Sequence, residues 1–316
     1  MLFVSRTGLT LHFIRSMQNF RYYLAAFLAF MLWGFFSLAL KPIAYVHSFD
    51  ILFYRISFSA VLIILFTCIF RRKIFVSDLN QFRKLPVRER RKGMRLALVG
   101  GVLLGVNWFL FIYVVNQINV QSASFAYLIC PIITTFLANI LLKERLQKNQ
   151  RIAVLISFAG CLVYFFSNAN NLLFALLVAA TYSLYLISQK SNVYFDKFNA
   201  LVFQMVVIFI LSLPYYITHG FTIPKEASFY GYVFIIATAF TLVPLYLNLY
   251  ALKGASASTV GIMIYINPII AFLLAAFYYK EAINPLQFVS YFLILLSVII
   301  FNYQVLTNLK RKTIHQ

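Results

Sequence analysis

Apolar side chains in this chain come in long unbroken runs, not in the spacing of an amphipathic helix or the alternation of a half-buried strand. Ten runs stand out, at about 22–44, 50–70, 95–115, 122–142, 152–169, 171–189, 198–217, 229–251, 256–278 and 285–306. About 18 or more apolar residues in helical form cross a hydrocarbon layer about 30 Å thick. Hydrocarbon offers backbone N–H and C=O groups no partner, and a helix satisfies them internally, so each run is predicted to be a transmembrane helix. The ten-residue alternation of a membrane β-barrel is absent. The predicted fold is an all-α polytopic membrane protein of ten transmembrane helices with mostly short connections.

Composition agrees. Of the 316 residues 63% are hydrophobic and 11% charged, against roughly 45–50% and about 25% in soluble domains. The 35 Phe and 21 Tyr are too many for one soluble core to hide. The three cysteines, Cys68, Cys130 and Cys161, fall inside apolar runs and read as packing residues, not as a disulfide set or a metal site.

Charge then gives orientation. Lys41 and Arg55 lie within runs, and Lys225 and Lys280 in odd-numbered connections. The other 23 of the 27 basic residues (27 − 4 = 23) occupy the N-terminal segment, the even-numbered connections and the C-terminal tail. The densest cluster is RRKIFVSDLNQFRKLPVRERRKGMR, residues 71–95. Basic residues mark the cytoplasmic side, so residues 1–21 and the basic tail 307–316 are both predicted to be cytoplasmic. The net charge of +20 is this bias summed over the connections, with some attraction to anionic lipid, and does not point to nucleic acid. The first run is about 22 residues long and lacks a convincing small-residue cleavage site, and Met17 offers a second start to Met1.

The chain contains one segment twice: CPIITTFLANILLKE at 130–144 and NPIIAFLLAAFYYKE at 267–281. The prolines are 137 positions apart (268 − 131), and the same offset pairs Val106 with Val243, Tyr113 with Tyr250, Glu144 with Glu281 and Gln150 with Gln287. Ser37-Leu38 and Ser183-Leu184 correspond more weakly. Run four thus matches run nine, five crossings later and in the opposite sense. This predicts a 5 + 5 inverted repeat with halves 22–169 and 171–306, an arrangement that places a substrate site near midplane between the halves.

Several stretches carry a resemblance: Leu32-Trp33-Gly34, Asp50-Ile-Leu-x-x-Arg55, Gly105-x-Asn107-Trp108-x-Leu-Phe-Ile, Val243-Pro244-Leu245 and Ser258-Thr259-x-Gly261-x-x-x-Tyr265-x-x-Pro268, with Glu144 and Glu281 closing runs four and nine. Over nearly its whole length the chain resembles the bacterial drug/metabolite transporter superfamily, EamA family, and within it the RarD-like permeases. The resemblance implies a multi-pass carrier of the bacterial inner membrane, both termini inside, moving small metabolites or drugs. Cys130-Pro131 departs from the Asn-Pro that relatives often carry and that Asn267-Pro268 keeps.

Candidate residues follow from cost. Pro131 and Pro268 lack an N–H and free the carbonyls of Tyr127 and Ile264. They either kink packed helices or line a wet cavity, where Tyr127, Tyr265 and Asn267 are candidate contacts. Arg55 either snorkels outward or pairs with Asp50, or it attracts an anion at an outer vestibule. Asn107 either ties helices together or meets substrate, and Trp108 either packs or walls a cavity. Pro244 is a further candidate kink, and Glu144, Glu281 and Asp50 are read as structural acids at helix ends.

Absences narrow the class. All seven acids lie in connections or at helix ends, which disfavours a proton antiporter of cationic drugs. No nucleotide-binding loop, HExxH or GxSxG in context is present, so neither an enzyme nor a cofactor or metal is expected. The favoured function is a secondary transporter of a small polar, zwitterionic or anionic metabolite, with the substrate and the lipid bilayer as partners and a monomer or homodimer both open. The alternatives are an exporter of amphiphilic drugs and a non-transporting membrane partner or lipid-handling protein.

Overall fold

The computed structural model describes residues 20–142, 148–167, 169–219, 223–251, 263–282 and 284–314. Among the described residues every element is helical. The first helix, α1 (Phe20–Gly34), bends by 43° into α2 (Phe36–Leu40), which runs on through a 3-10 turn at Lys41–Ile43. There follow α3 (Ser48–Phe66), α4 (Arg72–Lys84), α5 (Val87–Tyr113), α6 (Val120–Leu142), α7 (Lys148–Ser167), α8 (Ala169–Ser191) and α9 (Lys197–His219). The chain ends with α10 (Ala227–Ala237), α11 (Val243–Ala251), α12 (Ile266–Leu273) and α13 (Pro285–Ile314). Wider π turns extend α3, α5, α10 and α12 at Thr67–Arg71, Val114–Ile118, Thr238–Leu242 and Leu274–Tyr278.

By length and hydropathy, seven described helices can cross a membrane, or eight counting the bent α1–α2 pair. The shorter apolar stretches Ile266–Tyr278 and Pro285–Phe301 fall where the ninth and tenth runs were expected. Residues 256–262 of the ninth run lie outside the described residues. The protein is an all-α polytopic membrane protein.

Two helices are far longer than a bilayer requires. Ser48–Lys84 runs 37 residues and Val87–Ile118 runs 32, about 55 and 48 Å at about 1.5 Å per residue. The basic stretch 71–95, read from sequence as a connection, is therefore a projecting helical hairpin. Its Arg, Lys, Glu and Leu residues are good helix formers. The hairpin is pinned by Phe82 stacked on Phe195 at 4.1 Å and by Asp78, which accepts from Asn199 Nδ2 at 2.8 Å. Arg71 adds an ion pair to Asp196 at 3.2 Å. At the other end of the bundle the Tyr45 hydroxyl donates to Glu226 at 2.7 Å, and that bond raises the phenol's pKa.

Packing is inverted relative to a soluble protein. Phe158 and Phe277 are 64% and 77% exposed, while Ser59, Asn107, Ser183 and Gln204 are fully buried between helices. Helices in hydrocarbon gain nothing from apolar burial as such, so small residues and interhelical hydrogen bonds bring them together. A Cβ on Gly34 would lie 2.7 Å from Ile270 Cβ, which fixes how closely the α1–α2 bend meets α12. A Cβ on Gly160 would lie 2.9 Å from Ile294, and the Gly160 carbonyl accepts from Ser290 Oγ at 2.7 Å, so α7 and α13 lie tightly together. The remaining contacts set α6 against α8 and α12, α5 against α8 and α9, and α3 against α9 and α10.

Candidate functional site

Arg55 sits on α3 seven residues after its first residue, about 10 Å along the helix axis. It is only 4% exposed. Its Nε donates to Thr241 Oγ1 at 3.0 Å, and that hydroxyl donates in turn to the Ile236 carbonyl across the π turn at 2.8 Å. The guanidinium carbon lies 4.2 Å from the Trp108 ring centre and 5.1 Å from that of Phe36. Asp50 is engaged elsewhere, accepting from the Tyr216 hydroxyl at 2.6 Å. Among the described residues no carboxylate pairs with Arg55. Two aromatic faces and one hydroxyl hold the cation, and the Nη groups of its fork have no hydrogen-bond partner among them.

Arg55 faces a cavity of about 80 Å³. Eight of its fourteen described lining residues are aromatic, and Arg55 is the one charged side chain among them. Tyr127 from α6 stands between Phe111 and Tyr182, with ring centres at 5.2 and 5.6 Å. Tyr182 and Tyr185 on α8 continue the wall, and Asn267 on α12 closes it from another side. Trp33 is set by a backbone defect. Pro244 has no N–H to offer the Phe240 carbonyl four residues back, and the Trp33 indole N–H donates to it at 3.1 Å. Pockets for drug-sized ligands measure roughly 300–1,000 Å³, so in this conformation the cavity admits only a small group.

Of the residues singled out from sequence, the structure brings Arg55, Trp108, Tyr127 and Asn267 together around this cavity. Asn107 and Tyr265 are buried but are not among its described lining residues. Neither are Cys130, Pro131 and Pro268. The Cys130 carbonyl accepts from Thr134 at 2.8 Å, and the Pro268 carbonyl accepts from Ser124 Oγ at 2.7 Å, joining α6 to α12. Arg55 pairs with Thr241 instead of Asp50. Glu144 lies outside the described residues. Thr241, Tyr182 and Tyr185 were missed, because a Thr or Tyr in an aromatic-rich run looks the same whether it faces lipid or a cavity. One signal was available: Phe36 and Tyr182 each precede a Ser-Leu pair at equivalent positions of runs one and six (182 − 36 = 146), and both line the cavity.

The sequence profile of the EamA-like transporter family matches residues 20–166 and again residues 170–303. The chain belongs to that family. It is similar to the uncharacterized transporter YojE of Bacillus subtilis (strain 168), 28% identical over 87% of this chain and 91% of the relative. It is also similar to Protein RarD of Escherichia coli (strain K12), 28% identical over 88% of this chain and 92% of the relative. A solved crystal structure, 15% identical, covers 88% of this chain and 95% of its own at a TM-score of 0.59, a likeness of fold alone.

Within this EamA-family chain three further polar residues act at helix ends and contacts. Glu281 accepts from the backbone N–H groups of Val120 at 2.9 Å and Gln121 at 3.0 Å, while Asn119 Oδ1 takes that of Ser122 at 2.7 Å. Three of the orphan donors that open α6 are thereby satisfied. Asn107 Nδ2 donates to the Val178 carbonyl at 2.8 Å and to Thr181 Oγ1 at 3.2 Å, tying α5 to α8. Its Oδ1 is buried without a partner among the described residues. An interhelical hydrogen bond in a membrane averages about 0.6 kcal/mol, so Asn107→Leu is expected to shift the thermal midpoint in detergent by little. Asn107→Asp buries a charge at the same point and is expected to sharply reduce the folded yield from membranes.

Proposed function

We propose that the chain is a secondary carrier that moves a small zwitterionic or anionic metabolite across the cytoplasmic membrane of a bacterium. The single observation that carries this reading is Arg55: a buried cation without a carboxylate partner among the described residues, facing an aromatic cavity lined from both halves of the chain. An uncompensated buried charge costs several kcal/mol (roughly, after relaxation), and ionisable groups at membrane depth mark substrate pathways as a rule. A carboxylate or phosphate pairs with the Nη fork, which has no hydrogen-bond partner among the described residues, in planar geometry. The aromatic walls take the remainder of the molecule.

Alternating access belongs to the same proposal. The two matches to one family profile, at 20–166 and 170–303, support two like halves, and the offset of 137 across five crossings supports their inversion. Ten crossings, halves at 22–169 and 171–306 and cytoplasmic termini complete it. A cysteine introduced at Gln81, on the basic hairpin, tests the orientation: labelling by an impermeant reagent outside intact cells contradicts it. The function is tested by metabolite profiling of cells with and without the protein, then by uptake of the changed metabolites into proteoliposomes. Selective depletion or accumulation of small anions or zwitterions is expected; profiles that do not differ overturn the reading.

A further inference from the structure

The bundle holds a second, larger cavity that the transport reading leaves unused. It is a groove of about 480 Å³ between α3, α9 and the α10–α11 segment, with Ile63 and Leu201 deep inside and Phe66, Phe198 and Tyr246 along its sides. No charged residue is among its described lining residues. Phe66 and Tyr246 are 38% and 49% exposed, so the groove opens to the outside of the bundle, where the solvent at this level is hydrocarbon. Left empty, its wall atoms lose their dispersion partners. Water does not fill it either, since a buried water needs two to four polar partners (roughly three).

We propose that the groove holds one acyl chain of an anionic phospholipid from the leaflet on the side of the basic hairpin. The charge beside the groove decides the headgroup. Phe198 lines the groove, and the Arg71 guanidinium lies over that same ring at 4.4 Å. Arg71 follows Phe66 by five residues, about 7–8 Å along the helix, which sets a cation above the groove at phosphate level. Arg71 shares its charge with Asp196, but the pair is partly exposed, and Arg72 beside it is exposed. Residues 71–95 carry ten basic and two acidic side chains, a net of +8 (10 − 2). Each basic group near the headgroups favours an anionic over a zwitterionic lipid by roughly fivefold. Leu245 lines both this groove and the Arg55 cavity, so the lipid chain lies one side chain away from the cavity.

The test is fluorescence quenching of the full-length protein in vesicles, with bromines on the acyl chains of either phosphatidylglycerol or phosphatidylcholine in mixtures of the two. Tyr246→Trp puts a reporter on the groove, and Phe158→Trp puts one on the exposed face of α7, with Trp33 and Trp108 of the parent giving the baseline. The expected result is a preference for phosphatidylglycerol at the Tyr246→Trp reporter between roughly fivefold and twenty-five-fold above that at the Phe158→Trp reporter, up to about fivefold for each of the two arginines. That excess is expected to vanish with Arg71→Gln and Arg72→Gln together. Arg72→Gln alone, at an exposed position, is expected to lower it and keeps the test open where loss of the Arg71–Asp196 pair disturbs folding. Equal preference at the two reporters, or an excess that survives loss of both arginines, overturns the proposal.

Discussion

Arg55→Gln is expected to abolish concentrative uptake, a loss of about thirtyfold or more, in a protein that folds at least as well as the parent. The two halves of this expectation come from one geometry. The cation is buried, its Nε meets one hydroxyl, and Trp108 and Phe36 supply ring faces in place of a counter-ion. Cation–π contacts contribute about 0.5–2 kcal/mol each, less than the several kcal/mol (roughly) that desolvation costs. Removing the charge therefore relieves the empty protein. Removing it from the loaded protein strands the substrate's anion, a loss of about 2–5 kcal/mol. Arg55→Met, apolar and of similar length, is expected to raise the thermal midpoint in detergent while also abolishing uptake. Arg55→Lys keeps the charge but loses the planar fork, and is expected to retain partial uptake with a raised KM. Normal uptake by Arg55→Gln sinks the role in substrate capture. A large fall in stability with either neutral variant assigns Arg55 to structure instead.

The membrane class, the family and the cation were all legible in the sequence, for a shared reason: hydrocarbon makes polar groups expensive, so those that remain stand out. Arg55 drew attention as one of two cations inside apolar runs, and the structure places it on the cavity. The cavity's walls were not legible. With 18% aromatic residues throughout, Tyr182 facing Arg55's cavity and Phe158 facing outward carry the same local signal. Asn107 illustrates the converse. Depth marked it as costly, yet a costly amide is satisfied as well by the Val178 carbonyl of a neighbouring helix as by a substrate. The helical continuation of α3 into the basic hairpin was hidden too, because hydropathy reports where the hydrocarbon ends and not where the helix does.

Glu281→Ala is expected to cost about 2–3 kcal/mol, the largest stability effect predicted for a substitution outside the apolar core. The chain arrives at Glu281 through a helix-ending motif in which Lys280 takes the left-handed conformation, φ 52°, and the Glu281 N–H reaches back to the Ala275 carbonyl at 2.9 Å. This turn aims the carboxylate at the start of α6, where it accepts from two backbone N–H groups. Charge-assisted hydrogen bonds contribute about 1.5–3 kcal/mol, and a negative charge at a helix N-terminus adds about 0.3–1 kcal/mol. Alanine leaves both donors without a partner. Glu281→Gln keeps one acceptor oxygen and is expected to cost about half as much. Asn119→Ala, which removes a neutral cap from the same end, is expected to cost about 1 kcal/mol. Thermal unfolding in detergent ranks the three variants. A Glu281→Ala midpoint equal to the parent's contradicts the cap. Lys280→Gly relieves a conformation that costs a side chain about 1–2 kcal/mol and is expected to raise the midpoint.

In the proposed transport cycle one cavity between the two halves, lined by Tyr127, Asn267 and Arg55, opens in turn to each side of the membrane. The most direct measurement is the accessibility of a single cysteine at Asn267 (Asn267→Cys), with Cys68, Cys130 and Cys161 replaced by alanine. A small membrane-impermeant thiol reagent is applied to right-side-out and to inside-out vesicles. Alternating access predicts labelling from both sides, at rates that fall when a transported metabolite is present. Labelling from one side only, or from neither, contradicts it.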